Sequence, residues 1–285
     1  MMVFKSKNEV AIKIKALASE DLSIGFVPTM GALHDGHIAL MKTAALENDV
    51  LAVSIFVNPT QFNNSTDLDK YPRNVGKDIE LIYSHFDKEQ TIIYTPDVDD
   101  VYSDQIIAKH YAYGGLENKM EGASRPGHFD GVGTILEFLF HLFKPARAYF
   151  GEKDFQQLQI VKSLREQLAL DLEIIGCPIS REDSGLARSS RNGRLTDLGW
   201  ITAAKIYQSL LLAKEMYASG KYDRIQKTVE QTYDKIENLD LEYFTIAREV
   251  DLETAPPAEM PQKGLRAFVV AHVDGVRLID NMKLS

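Results

Sequence analysis

Short apolar runs alternate with longer stretches of mixed character over the first 177 residues. The run at 50–57, Val-Leu-Ala-Val-Ser-Ile-Phe-Val, is nearly continuous and rich in β-branched side chains. A strand of that kind is covered on both faces, as in a parallel sheet. Shorter strands are expected at 24–27, 91–95, 147–150 and 172–175, with helices at about 36–47, 76–86, 131–143 and 154–169. Strand and helix in turn predict a doubly wound α/β domain. Beyond residue 178 the rhythm changes. Helices are expected at about 198–219 and 224–237, a strand near 243–247, and two strands at 265–273 and 276–280. The last two flank Asp274-Gly275, a two-residue hairpin signal. The pattern therefore divides the chain into 1–177 and a smaller α+β domain at 178–285.

Composition narrows the classes. Of 285 residues, 45% are hydrophobic and 26% charged, the balance of a water-soluble globular protein. Acidic residues outnumber basic ones, 41 to 32, for a net charge of −9. That field disfavours nucleic acid as a partner. The single cysteine, Cys177, has no partner for an intrachain disulfide, which fits a cytoplasmic location. No signal-peptide core follows Met1-Met2-Val3-Phe4-Lys5, and no apolar run is long enough to span a bilayer, so no membrane role is expected.

Three polar motifs fall just beyond expected strands, where open parallel sheets bind ligands. They are Met30-Gly31-Ala32-Leu33-His34-Asp35-Gly36-His37, Asn58-Pro59-Thr60-Gln61-Phe62 and Gly151-Glu152-Lys153-Asp154. Two histidines at i,i+3 share one face of a helix's first turn, and a helix N-terminus favours phosphate. The rival reading is a metal site. However, zinc-binding helix pairs use i,i+4 spacing, and the sequence offers no obvious third ligand. An idle pair of partly exposed histidines is the third possibility.

The His-X-Gly-His string after a first strand resembles the nucleotidyl-transferring and adenylate-forming α/β superfamily. The longer strings narrow the resemblance to the pantothenate synthetase family. They are Pro28 to His34, Phe56-Val57-Asn58-Pro59 with Gln61-Phe62, Tyr71-Pro72-Arg73, Arg125-Pro126-Gly127-His128-Phe129, Gly151 to Asp154, Ser189-Ser190-Arg191-Asn192 and Arg277 to Asn281. The resemblance runs in order along nearly the whole chain. It implies a Rossmann-like N-terminal domain, a smaller C-terminal lid domain and a homodimer. The implied activity is ATP-dependent ligation of pantoate and β-alanine to pantothenate, on the route to coenzyme A. The reaction passes through a pantoyl adenylate and releases AMP and pyrophosphate.

Carried over by motif, the resemblance implies His37, His34, Lys153 and Arg191 as catalytic. ATP would be held by Met30, His34, His37, Gly151, Glu152, Lys153, Asp154, Ser180, Arg188, Ser189, Ser190 and Arg191. Pantoate and β-alanine would fall to Gln61, Gln157, Asn58, Arg125 and His128. Magnesium would accompany ATP, with Asp78 as a metal-associated acid. The residue types suit the chemistry: charge on transferring phosphates calls for fixed cations and N–H donors, and amides read hydroxyls without adding charge. Some positions depart from the pattern: Lys77 where an acid is usual, Ser184 for aspartate, Arg188 for methionine or leucine, and Arg194 for tyrosine. A nucleotidyltransferase that keeps the nucleotide on its product, and a nucleotide-binding protein without turnover, are the alternatives.

Overall fold

The computed structural model describes residues 2–63, 68–69, 71–102 and 105–285. They form two compact units. One comprises the chain up to Glu152 together with Gln156–Pro178; the other comprises Lys153–Phe155 and Ile179–Ser285.

The first unit is built on a six-stranded, all-parallel sheet. Its strands are β1 (Met2–Phe4), β2 (Ile24–Thr29), β3 (Val50–Ile55), β4 (Thr91–Tyr94), β5 (Arg147–Gly151) and β6 (Glu173–Cys177). Their spatial order is β1-β4-β3-β2-β5-β6. The chain steps outward from β2 through β3 to β4 and then restarts on the other side of β2. The crevice between β2 and β5 is thus the topological switch point of a doubly wound sheet, where ligands bind. The helices are α1 (Lys7–Ser19), α2 (Asp35–Glu47), α3 (Val75–Tyr83), α4 (Val98–Tyr102), α5 (Met120–Ser124), α6 (His128–Phe143) and α7 (Phe155–Gln167).

Every side chain of β3 is buried, as its unbroken apolar run requires. Successive residues of β2 face opposite ways. Val27 packs in one core with Ile38, Met41 and Ala44 of α2 and Ile82 of α3. Phe26 instead stacks on Phe143 of α6 at 4.6 Å and meets Phe140 edge-on at 6.4 Å. Strand β6 extends to Cys177, beyond the expected 175, because its ladder with β5 runs on through Phe150–Gly176 and Gly151–Cys177. Cys177 is buried, and burial pushes its thiol pKa up, as suits a small core residue. Helix α6 begins three residues earlier than expected, after Gly127 at φ +79, so His128 opens it.

The second unit is an antiparallel sheet, β7 (Asp240–Arg248), β8 (Leu265–Val273) and β9 (Val276–Lys283), carrying α8 (Asp197–Ala218) and α9 (Ile225–Tyr233). Alternate β8 residues, Leu265, Ala267, Val269, Ala271 and Val273, join Ala203, Ile206 and Leu210 of α8 in one core. Among the described residues no helix is long and apolar enough to cross a membrane.

Candidate active site

The loop between β2 and α2 delivers the histidine pair. His34 is the N-cap of α2. Its Nδ1 accepts the Gly36 N–H at 3.1 Å, while the His37 Nδ1 accepts the His34 N–H at 3.3 Å. Two imidazoles thus do the work of a capping box. A neutral ring that accepts on Nδ1 carries its proton on Nε2. Both rings are therefore set as Nε2–H donors, with centroids 4.1 Å apart, on the first turn of a helix at the switch point. That arrangement suits an anion such as phosphate.

A second network surrounds Gln61, in the short turn Pro59–Gln61 after β3. The Gln61 Oε1 accepts from Asn58 Nδ2 at 3.1 Å, and Gln61 Nε2 donates to Met30 Sδ at 2.9 Å. The amide is thereby oriented and keeps capacity for a further donor and a further acceptor contact. Asn58 is only 1% exposed. Its amide also donates to the Gly131 carbonyl at 3.0 Å, and its Oδ1 accepts from Thr60 at 3.1 Å and from Tyr102. All four of its hydrogen-bonding positions are used within the protein, so its part is to aim Gln61. Burial raises the Tyr102 pKa, keeping that hydroxyl a donor.

His128 has a similar place. Its Nδ1 donates to the Gln61 carbonyl at 2.8 Å, and its Nε2 accepts from Arg125 at 3.4 Å. Met30, Asn58, Gln61, Arg125 and His128 are thus one connected set, and His128, being buried, acts through the Gln61 backbone. Gln157 lies half-buried in the first turn of α7. Its neighbour Gln156 is buried and donates to the Leu116 and Lys119 carbonyls at 2.8 and 2.7 Å. Tyr102 and Gln156 are supports that no local motif reveals. Their partners lie 44 and about 40 residues away, so only the fold brings them together.

The cationic residues named by the resemblance, Lys153, Arg188 and Arg191, belong to the second unit. Lys153 lies in the turn Glu152–Asp154, its ammonium 3.8 Å from Asp154. Its carbonyl accepts from Asn281 Nδ2 at 2.9 Å, and Asn281 Oδ1 accepts from Arg266 at 2.6 Å. Arg266, 4% exposed, lies 4.0 Å over the Phe155 ring and pairs with Glu249 at 2.8 Å. The loop from Ser180 to Arg191 folds back on itself: the Arg188 N–H donates to the Ser180 carbonyl at 2.9 Å, and Arg191 N–H to Ser189 Oγ at 3.2 Å. Arg181 clamps it, donating to both Asp280 oxygens at 2.7 and 3.0 Å. Burial raises the Asp280 pKa, and the Arg181 fork works against the rise. Ser180, Arg188, Ser189, Ser190 and Arg191 therefore share one loop.

A family model for pantoate–β-alanine ligase matches residues 2–283. The chain belongs to the pantoate–β-alanine ligase family. Pantothenate synthetase from Christiangramia forsetii is 47% identical over the full length of both chains, and that from Flavobacterium psychrophilum 45%. The crystal structure of pantothenate synthetase from Thermus thermophilus is similar with a TM-score of 0.91 at 34% identity, covering 100% of this chain and 99% of that one. The pantoate–β-alanine ligase of Francisella tularensis, solved complexed with beta-gamma ATP and beta-alanine, gives 0.79 at 34%, covering 100% and 98%. The protein is thus an enzyme of the pantoate–β-alanine ligase family, with the α/β sheet and small C-terminal unit expected of it.

Two of the departures from the family pattern, Arg188 and Ser184, find local partners. Arg188 pairs with Glu182 at 3.1 Å and donates to the Arg181 carbonyl at 3.3 Å. Ser184 accepts the Leu186 N–H at 3.4 Å within its turn. Asp78, expected as a metal-associated acid, spends both oxygens on the β2–α2 loop, accepting from Ala32 and Leu33 N–H at 3.0 and 2.8 Å. Among the described residues no three His, Cys, Asp or Glu side chains gather to hold a metal ion.

Proposed function

We propose that this ligase-family enzyme joins pantoate to β-alanine at the expense of ATP, through a pantoyl adenylate. A pantoate carboxylate oxygen attacks the α-phosphorus, and the bond to the bridging oxygen of pyrophosphate breaks. The β-alanine amine then attacks the acyl carbon, the bond to the AMP oxygen breaks, and the nitrogen loses a proton to give pantothenate. The observation that carries this reading is the pair of Nε2–H imidazoles, locked by their own capping box at the sheet's switch point. They supply donors to phosphate charge as it develops, with no reorganisation at the moment of reaction. Lys153 and Arg191 add a point charge and a planar fork. Gln61 and Gln157 read pantoate's hydroxyls. Magnesium enters with ATP as part of the substrate and offsets phosphate charge there. The second unit serves as a lid that keeps water from the mixed anhydride. A cytoplasmic homodimer completes the reading, its location supported by the lone buried thiol.

Pyrophosphate exchange tests it. With ATP, Mg²⁺ and pantoate but no β-alanine, labelled pyrophosphate should enter ATP, because the first half-reaction needs no amine. Adding β-alanine should then release AMP and pantothenate in equal amounts. Exchange with a phosphorylated acceptor and no AMP would identify a nucleotidyltransferase instead. No product with all three substrates would end the ligase reading.

A further inference from the structure

Two successive residues of the β2–α2 loop adopt left-handed backbone conformations, Gly31 at φ +82 and Ala32 at φ +51. Glycine is at ease there, but alanine is rarely found in it. A Cβ at residue 31 would also stand 2.9 Å from Asp78 Oδ2, so the carboxylate occupies the space that only glycine leaves. The next two amides, Ala32 and Leu33, both donate to that carboxylate, one to each oxygen. Asp78 comes from α3, is 5% exposed, and sits one helical turn after the N-cap Asn74. Leu33 is followed directly by His34, whose cap and tautomer depend on the course of the chain into α2.

We propose that Asp78 is a positioning residue: its carboxylate holds the 31–33 turn in its left-handed course and thereby fixes His34 and His37 as Nε2–H donors. The inference rests on reading that pair as the phosphate-facing donors. It assigns Asp78 to the loop rather than to a metal, and it makes the effect conformational. Strain at a non-glycine left-handed residue persists only when surrounding contacts over-determine it. Asp78 supplies those contacts.

The test begins with Asp78→Asn. Asparagine replaces one accepting oxygen by a donor that faces an N–H, so one of the two tethers is lost. Pantoate-dependent pyrophosphate exchange should fall about 10- to 100-fold in kcat, the scale of a small misplacement, with little change in KM. Raising Mg²⁺ should not restore it. Ala32→Gly in the same chain should recover part of the loss, because glycine adopts the turn without the carboxylate's help. Ala32→Val, which leaves Asp78 untouched but resists φ > 0, should reproduce the loss, and this holds whether or not Asp78→Asn folds.

Long-range ¹H–¹⁵N spectra of the histidine rings give a readout independent of turnover. His34 and His37, assigned with His37→Ala, should show protonated Nε2 in the wild type and lose that preference in Asp78→Asn. Rescue by Mg²⁺, failure of Ala32→Gly to rescue, wild-type kcat in Ala32→Val, or unchanged ring tautomers would each overturn the proposal. A wild type without exchange would instead sink the stepwise adenylate reading, while the ring spectra would still decide the role of Asp78.

Discussion

Asp274 occupies the first position of the β8–β9 turn at φ +53, followed by Gly275 at +71. Such a pair of left-handed residues is what a type I′ turn requires. The side chain does more than turn the chain. One oxygen accepts from both the Thr196 N–H and its hydroxyl at 2.9 Å, and the other accepts from Asn238 at 2.6 Å. Thr196 is the N-cap of α8, so one carboxylate ties the hairpin to the start of the long helix. The Thr196 N–H, and then the Asn238 amide, hold its pKa below the ordinary carboxylate value. A carboxyl whose folded pKa is lowered stabilises the fold above the unfolded pKa, near 3.9, and loses that contribution as pH falls through the folded value. Asp274→Asn keeps a residue suited to the turn but removes the charge. It should melt below wild type at pH 7, and the gap should narrow as pH falls below the unfolded value near 3.9. Thermal melts across pH check this; a gap independent of pH would show that charge plays no part.

Among elements, the approach of α6 to the Pro59–Gln61 turn matters most to the site. A Cβ on Gly131 would stand 2.3 Å from the Thr60 carbonyl oxygen and 2.6 Å from the Gln61 nitrogen, which is backbone that cannot yield cheaply. The Gly131 carbonyl also anchors Asn58. Gly131→Ala should therefore displace Gln61 and lower kcat/KM for pantoate by about 10- to 100-fold. The KM for ATP should change far less. Steady-state kinetics with each substrate varied decide it, and an unchanged value for pantoate would remove α6 from the account. Elements with strong local signals were legible in the sequence. The β3 run, the Asp274-Gly275 hairpin and the histidine pair each carry their cause within a few residues. Strand β1 is only three residues long, too short to show a period. Helix α1 has a signal in Ser6 before Val10, Ile14 and Leu17, but the exposed Ala11, Ile12, Ala16 and Ala18 blur its apolar period. The inner supports of the site, Tyr102 for Asn58 and Asp78 for the loop, were beyond reading because their partners are set by topology rather than spacing.

At the scale of the whole chain, the residues assigned to one reaction divide between two units. His34, His37, Gln61 and Gln157 belong to the first, while Lys153, Ser180 and Arg188 to Arg191 belong to the second. Each unit has its own core, one around Val27, Met41 and Val53 and the other around Ile206, Leu210 and Val269. The proposed chemistry needs both sets on one nucleotide, and a mixed anhydride must be kept from water. ATP and pantoate together should therefore stabilise a closed arrangement that either alone supports less well. Trypsin reports on it, since Arg188 and Arg191 lie in the loop that would engage phosphate. If cleavage there proceeds through an open form, ligands at about 100 times their dissociation constants should slow it by up to roughly 100-fold. β-Alanine should be left out, so that the adenylate persists. Cleavage after Arg188 and Arg191 at the same rate with and without the two substrates would show that this loop does not respond to them, and the lid would have to be abandoned even if exchange and ligation both proceed.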